Sequence, residues 1–109
     1  MALTYVCSPL SAPTRAEILA NAQRARTYMA MSEREFGCRA VAPHAYLPYL
    51  LDDSNPEERA LALSFGASLL ALCDRLVIYG DRISSGMKDE IQRARELGIP
   101  IFDRRTKLA

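Results

Sequence analysis

Short β-rich apolar runs in this chain are separated by longer stretches in which apolar residues recur every three or four positions, an alternation that predicts strands and helices in turn. The run LTYVC at 3–7 predicts a buried strand, and SPLSAPT after it predicts a loop. A helix follows, with Thr14 as its cap, Glu17 as a capping-box partner, and Ile18, Ala22, Ala25 and Met29 at helical spacing; it should stop near Phe36 and Gly37. CRAVAP at 38–43 predicts a second strand stopped by a proline, with PHAYLPYLLDDSNPEE as a long loop at its carboxyl end. Asn55 then caps a helix, Pro56 takes its first position, and Glu57 and Glu58 lie in the first turn, where the helix dipole favours negative charge. The body of that helix, ALALSFGASLLAL, is apolar nearly all round, the pattern of a helix covered by its own sheet and by another layer or subunit. DRLVIYG predicts a third strand, SGMKDEIQRAREL a third helix ending at Gly98, and IPIFD a last strand.

This order predicts the α/β class: a three-layer, flavodoxin-like or Rossmann-like parallel sheet of four to five strands, with helices on both faces. A chain of 109 residues without internal repeat or linker is expected to form a single domain over 1–109. The net charge of +1 leaves no electrostatic footprint for a nucleic-acid polymer or an anionic membrane, so an anionic ligand must be held locally. No apolar run reaches the roughly 20 residues that span a bilayer. The start MALTYVCSPLSAP lacks the charged flank and long apolar centre of a signal peptide, so a cytoplasmic location is expected. Cys7, Cys38 and Cys73 are odd in number and widely spaced, which argues against a disulfide framework or a zinc site and for small core residues; no metal or other cofactor is expected.

In open α/β sheets, ligands bind at the carboxyl ends of the strands. Three loops fall there: CSPLSAP, PHAYLPYLLDD and GDRISSG. In the third, Gly80, Asp81, Ser84, Ser85 and Gly86 lead into a helix start, whose free N–H groups and positive dipole end suit a phosphate; the serines serve equally well as ordinary caps. On a helix turning about 100° per residue, Met87, Ile91, Ala94 and Leu97 share an apolar arc of roughly 120°, and Glu90 falls inside it. Lys88, Asp89, Arg93, Arg95 and Glu96 fall outside. A carboxylate pointed inward is either paired, with Arg93 or Arg82 at hand, or faces a cleft that uses it. His44, the only histidine, is either a loop imidazole bonded to backbone or a catalytic base. Asp52, Asp53, Glu57 and Glu58 read as solvent-facing or capping, and Tyr5, Tyr46 and Tyr49 as packing.

Taken together, YVCSP, APHAYLP, CDRLVIYGDRISSGMKDEI and ARELGIPIF resemble the small proteins, carried by bacteria and phages, of a domain-of-unknown-function family with a nucleoside 2-deoxyribosyltransferase-like fold. The likeness runs over nearly the whole chain. Within that superfamily, 2-deoxyribosyltransferases and deoxynucleoside 5′-monophosphate N-glycosidases place a nucleophilic glutamate after the third strand, in the pattern Asp/Ser-x-Gly-x-x-x-Glu. Ser84 to Glu90 fits it, which makes Glu90 the implied nucleophile. Serine at 84 sides with the monophosphate glycosidases, whose serine contacts phosphate, rather than with transferases of free nucleosides, which carry aspartate. The implied substrate-binding residues are Ser8, Pro9 and Leu10 at the base, Ser84, Ser85 and Gly86 at the phosphate, and His44, Gly80 and Asp81 in the flanking loops. One departure stands out. Those enzymes carry a second aspartate eight residues before the aspartate that begins the third strand, and counting back from Asp74 reaches Gly66.

Three functions remain open from sequence. The first is an enzyme that releases or exchanges the base of a nucleoside 5′-monophosphate; the second is a non-catalytic nucleotide-binding or sensing module. The third is an interaction protein whose apolar second helix is its working surface. The expected partner is a small-molecule nucleotide, and that apolar helix predicts a homodimer or larger homo-oligomer.

Overall fold

The computed structural model describes residues 2–52 and 54–105. Asp53 of the acidic run therefore lies outside the described residues. Four strands, β1 (Leu3–Cys7), β2 (Arg39–Val41), β3 (Arg75–Ile78) and β4 (Ile101–Asp103), form one parallel sheet in the order β2-β1-β3-β4. Three helices connect them: α1 (Arg15–Phe36), α2 (Pro56–Leu70) and α3 (Ser85–Glu96). β1 is the hub, pairing Thr4 with Ala40 on one side and Val6 with Val77 on the other.

The two faces of β1 divide the core. Val6 joins Ala25, Ala40, Val77 and Tyr79 under α1, where Tyr28 stacks on Tyr79 with ring centroids 5.1 Å apart. Tyr5 and Cys7 point the other way, into a cluster with Leu70 of α2 and Met87, Ile91 and Ala94 of α3. The period of two along a strand separates these sets, and the result is the expected three-layer α/β architecture. Among the described residues no helix is long and apolar enough to cross a membrane.

The helix ends follow their local chemistry. Thr14 Oγ1 accepts from the Glu17 N–H at 3.2 Å, Asn55 Oδ1 from Glu57 at 2.9 Å, and Ser84 Oγ from Met87 at 3.3 Å. Gly37 closes α1 in the left-handed region at φ 68°, its N–H on the Glu33 carbonyl at 3.0 Å. Gly80 has a different task. Its φ is 103°, and a Cβ built on it would lie 2.7 Å from Pro9 Cδ, so only glycine lets the loop after β3 press against the loop after β1.

Several expectations need correction. β2 and β4 are shorter than 38–43 and 99–103, because each pairs with its neighbour over three residues only. The loop after β2 is not shapeless: Pro43–Ala45 and Leu47–Tyr49 are single 3₁₀ turns, each opened by a proline-bearing pair of residues and bound back to α1. Arg26 Nη1 donates to the Ala45 carbonyl at 2.9 Å, and Arg15 donates to the Pro48 carbonyl. α2 is covered on one side only: Leu70 is buried, whereas Leu61, Leu63 and Phe65 are more than half exposed. Leu97 lies past the end of α3 and is 40% exposed, so it is not part of the buried arc. Cys7 and Cys73 are core residues as expected, but Cys38 is partly exposed and its sulfur accepts from Arg75 Nη1 at 2.8 Å.

Candidate functional site

β2 and β3 leave β1 on opposite sides, which places the reversal of strand order at β1. A cavity of about 430 Å³ opens there, walled by α2, α3 and the loops that follow β1 and β2. Its size falls within the range usual for small-molecule sites. Ser8, Leu10, His44, Ser84, Gly86 and Glu90 line it, six of the ten positions singled out from sequence. Pro9, Gly80, Asp81 and Ser85 are not among the lining residues. Pro9 and Gly80 shape the site from behind by packing on each other, and Asp81 is exposed on Arg82 at 3.3 Å.

Glu90 sits on the second turn of α3, turned toward the sheet by the same helical phase that buries Met87 and Ile91. Ion pairing does not explain it: Arg82 pairs with Asp81, and Arg93 with Glu96 at 3.7 Å. Its partners instead rise from β1. The Tyr5 hydroxyl is near enough to favour the charged form of the carboxylate, and Cys7 Sγ makes a long, weak contact of 4.0 Å with Oε1. Tyr5 was expected only to pack; it is 3% exposed, and its hydroxyl reaches the most unusual group in the site. Burial pushes the Glu90 carboxyl up to about 7; the Tyr5 hydroxyl pulls it back, and the charge of Asp89 adds to the rise. Burial, reinforced by Glu90, also pushes the Tyr5 hydroxyl and the Cys7 thiol far above their ordinary values, so both keep their protons.

His44, for which the sequence left a backbone-bonded imidazole and a catalytic base open, places Nε2 2.7 Å from Ser8 Oγ, joining the loops after β2 and β1. Burial lowers its pKa to about 4, which leaves the imidazole neutral at neutral pH. Ser84 is the N-cap of α3, and that capping bond uses one lone pair of its oxygen, leaving the other free. Gly66 also lines the cavity, from α2. A Cβ at that position would stand 3.5 Å from the Tyr5 hydroxyl, so the place of the absent aspartate faces the Tyr5–Glu90 pair. Arg15, Glu58, Arg59, Asp89 and Arg93 add charged groups to the lining. Among these, Asp89 and Arg93 carry no separate signal in the helical pattern, since solvated faces look alike whether or not a cavity lies beside them.

The fold defines the class: an α/β protein with a nucleoside 2-deoxyribosyltransferase-like fold. The solved structure of the 2-deoxyribosyltransferase from the psychrotolerant bacterium Bacillus psychrosaccharolyticus superposes with a TM-score of 0.67 over 99% of this chain and 77% of that one, at 19% sequence identity. The chain belongs to the family described as Domain of unknown function (DUF7768), which matches residues 2–104. None of the curated proteins matches the sequence.

The environment of Glu90 has a measurable consequence. A carboxyl whose folded pKa lies above its value in the unfolded chain costs nothing while protonated in both states, and stability falls as pH rises through the interval, from about 4.5 to about 7. Glu90→Gln removes that ionisation while keeping an acceptor for Tyr5. At pH 8 the mutant should therefore be more stable than wild type by about 1–3 kcal/mol, with the difference vanishing near pH 4. His44 acts oppositely, its stabilisation being lost as pH falls from about 6.5 toward 4, but equally in both proteins. Urea unfolding of the two proteins across pH 4–8 checks the point; a mutant less stable at pH 8 would mean that the ionised carboxylate is paired.

Proposed function

We propose that this protein is an N-glycosidase or deoxyribosyltransferase-like enzyme acting on (deoxy)nucleoside 5′-monophosphates, with Glu90 as nucleophile. The observation that carries the proposal is a carboxylate without a cationic partner among the described residues, beside Tyr5 in the lining of the cavity, one turn beyond the N-terminus of α3. A Glu90 oxygen attacks the anomeric carbon, the bond from that carbon to the base nitrogen breaks, and its electron pair leaves with the base. Water or a second base then displaces the glutamate from the sugar. Two such displacements replace one difficult substitution, as in retaining glycosidases. Ser84 and the backbone of Gly86 hold the phosphate at the helix N-terminus, with Ser85 at the first helical position beside them, and Ser8 and Leu10 belong to the base side, with Pro9 packed behind them.

Gly66 favours a second reading, a nucleotide-binding or sensing module. A site with no aspartate there has one fewer group to assist departure of the base. The two are told apart by incubating the protein with deoxynucleoside 5′-monophosphates and assaying free base. Release is expected, growing as pH rises through about 7 because only ionised Glu90 attacks, and Glu90→Gln should lower it on the order of 10³-fold or more without loss of nucleotide binding. Bound nucleotide with no released base would support the second reading.

The phosphate assignment makes its own prediction. Ser84→Asp keeps a capping oxygen but sets a negative charge against the ligand's, and should weaken monophosphate binding roughly tenfold or more in a calorimetric titration. Unchanged affinity would remove the phosphate from this loop.

The same proposal includes a homodimer or larger homo-oligomer, assembled through the α2 face that leaves Leu61, Leu63 and Phe65 in water. Light scattering at micromolar concentration should report at least twice the 12.1 kDa chain mass; a monomer alone would remove assembly from the proposal.

A further inference from the structure

We infer that Ser8 and His44 act as a coupled pair that reads the uncharged hydrogen-bonding edge of the ligand's base, Ser8 touching the base and His44 positioning the Ser8 hydroxyl. The inference rests on the nucleotide reading and names what recognises the base.

Sheet order supplies the geometry. β2, β1 and β3 lie side by side, so the loops that follow them place His44, Ser8 and Ser84 in that order along one edge of the cavity. Neighbouring strands are about 4.8 Å apart, which makes the distance from the loop after β2 to the loop after β3 roughly 10 Å. With the phosphate on the N-terminus of α3 and the sugar over Glu90, an extended mononucleotide directs its base toward Ser8 and His44.

The chemistry of the pair suits that end. Ser8 is 4% exposed, and its oxygen lies 2.7 Å from His44 Nε2. Leu10, Ile18 and Leu47 line the cavity alongside it. One hydrogen bond links the pair, and each arrangement of its proton leaves Ser8 with something to offer. When Nε2 carries the proton, the serine hydroxyl is free to donate; when Nε2 accepts, the serine oxygen is free to accept. Neither group is charged at neutral pH, because burial holds the imidazole neutral. A ring nitrogen, an amide N–H or a carbonyl can therefore bond to Ser8, and a ligand without such an edge leaves a buried hydroxyl unsatisfied. Nothing in this arrangement transfers a proton: the base is held, and charge developing on it meets a fixed dipole.

A tie between two loops would give the same hydrogen bond, so the test must separate recognition from architecture. Binding of 2-deoxyribose 5-phosphate, which has the sugar and phosphate but no base, is measured beside binding of the deoxyadenosine, deoxyguanosine, deoxycytidine and thymidine 5′-monophosphates. In Ser8→Ala, affinity for at least one monophosphate should fall roughly tenfold to a hundredfold while affinity for the sugar phosphate stays unchanged. His44→Gln, which still has an amide able to hold the serine, should retain most of the nucleotide affinity, whereas His44→Leu should behave like Ser8→Ala. Equal losses for nucleotide and sugar phosphate would make the pair a structural tie and overturn the inference, as would unchanged nucleotide affinity in Ser8→Ala. If Ser8→Ala does not fold, the contrast between the two His44 variants carries the same decision. A wild-type protein that binds sugar phosphate but no monophosphate better than it overturns base recognition alone. One that binds neither overturns the nucleotide reading itself.

Discussion

A carboxylate partly withdrawn from water and given neutral partners is the interaction around which this site is arranged. Tyr5 offers Glu90 a hydroxyl, Cys7 a weak thiol contact, and the arginines nearby in sequence are engaged elsewhere. The cost of that withdrawal appears as a carboxyl pKa near 7. What makes it tolerable is geometry. β1 fixes both partners two residues apart on one face, and α3 brings Glu90 down onto them in its second turn. β1 can serve in this way because it is paired on both sides and its two partner positions are buried in the core that α2 and α3 cover.

How much of this was legible in the sequence depended on whether a residue's role was local. Glu90 stood out because a helix has a period, and a charge inside the apolar arc breaks it; the structure buries Met87, Ile91 and Ala94 as that arc requires. Thr14, Asn55 and Ser84 were legible for the same reason, since a cap is a bond between residues two or three positions apart. Strand ends were less so, because pairing stops where the neighbour stops: β2 and β4 each keep three residues of longer apolar runs. Tyr5 was missed as a partner of Glu90. In a strand, an aromatic residue that packs and one whose hydroxyl meets a carboxylate leave the same pattern, and the carboxylate here comes from the far end of the fold. The link between Ser8 and His44 spans 36 positions and two loops, with no period to betray it. Gly80 was noticed as a loop glycine in a candidate phosphate site, but its positive φ and its contact with Pro9 give it a supporting task behind the cavity.

The apolar second helix shows the opposite limit. Its composition implied cover on two sides, yet the chain itself supplies one, through Leu70, and leaves Leu61, Leu63 and Phe65 in water. The same helix lends Ala62, Leu63, Gly66 and Ala67 to the wall of the cavity. Whatever shields the outer face of α2 therefore also bears on how open the cavity is, because residues of both faces alternate within single turns. Core packing and access to the site are coupled through one element.

Gly66 gives that coupling a chemical meaning. With no side chain at this position, the wall opposite Glu90 presents the Tyr5 hydroxyl and open space, and a Cβ there would make only ordinary contact at 3.5 Å. No carboxyl group at this position competes with Glu90 for a proton or assists a leaving base. Two further polar groups that line the cavity, Ser8 and His44, are neutral. In such a site a single proton separates two behaviours. Protonated, Glu90 is neutral and able to donate a hydrogen bond. Ionised, it is an anion in a poorly solvated setting, the form that the proposed reaction requires. Because burial brings the carboxyl near 7, both forms are populated at neutral pH without any change of fold. One arrangement thus holds two protonation states, and the environment that Tyr5, Asp89 and the surrounding apolar side chains create sets the balance between them.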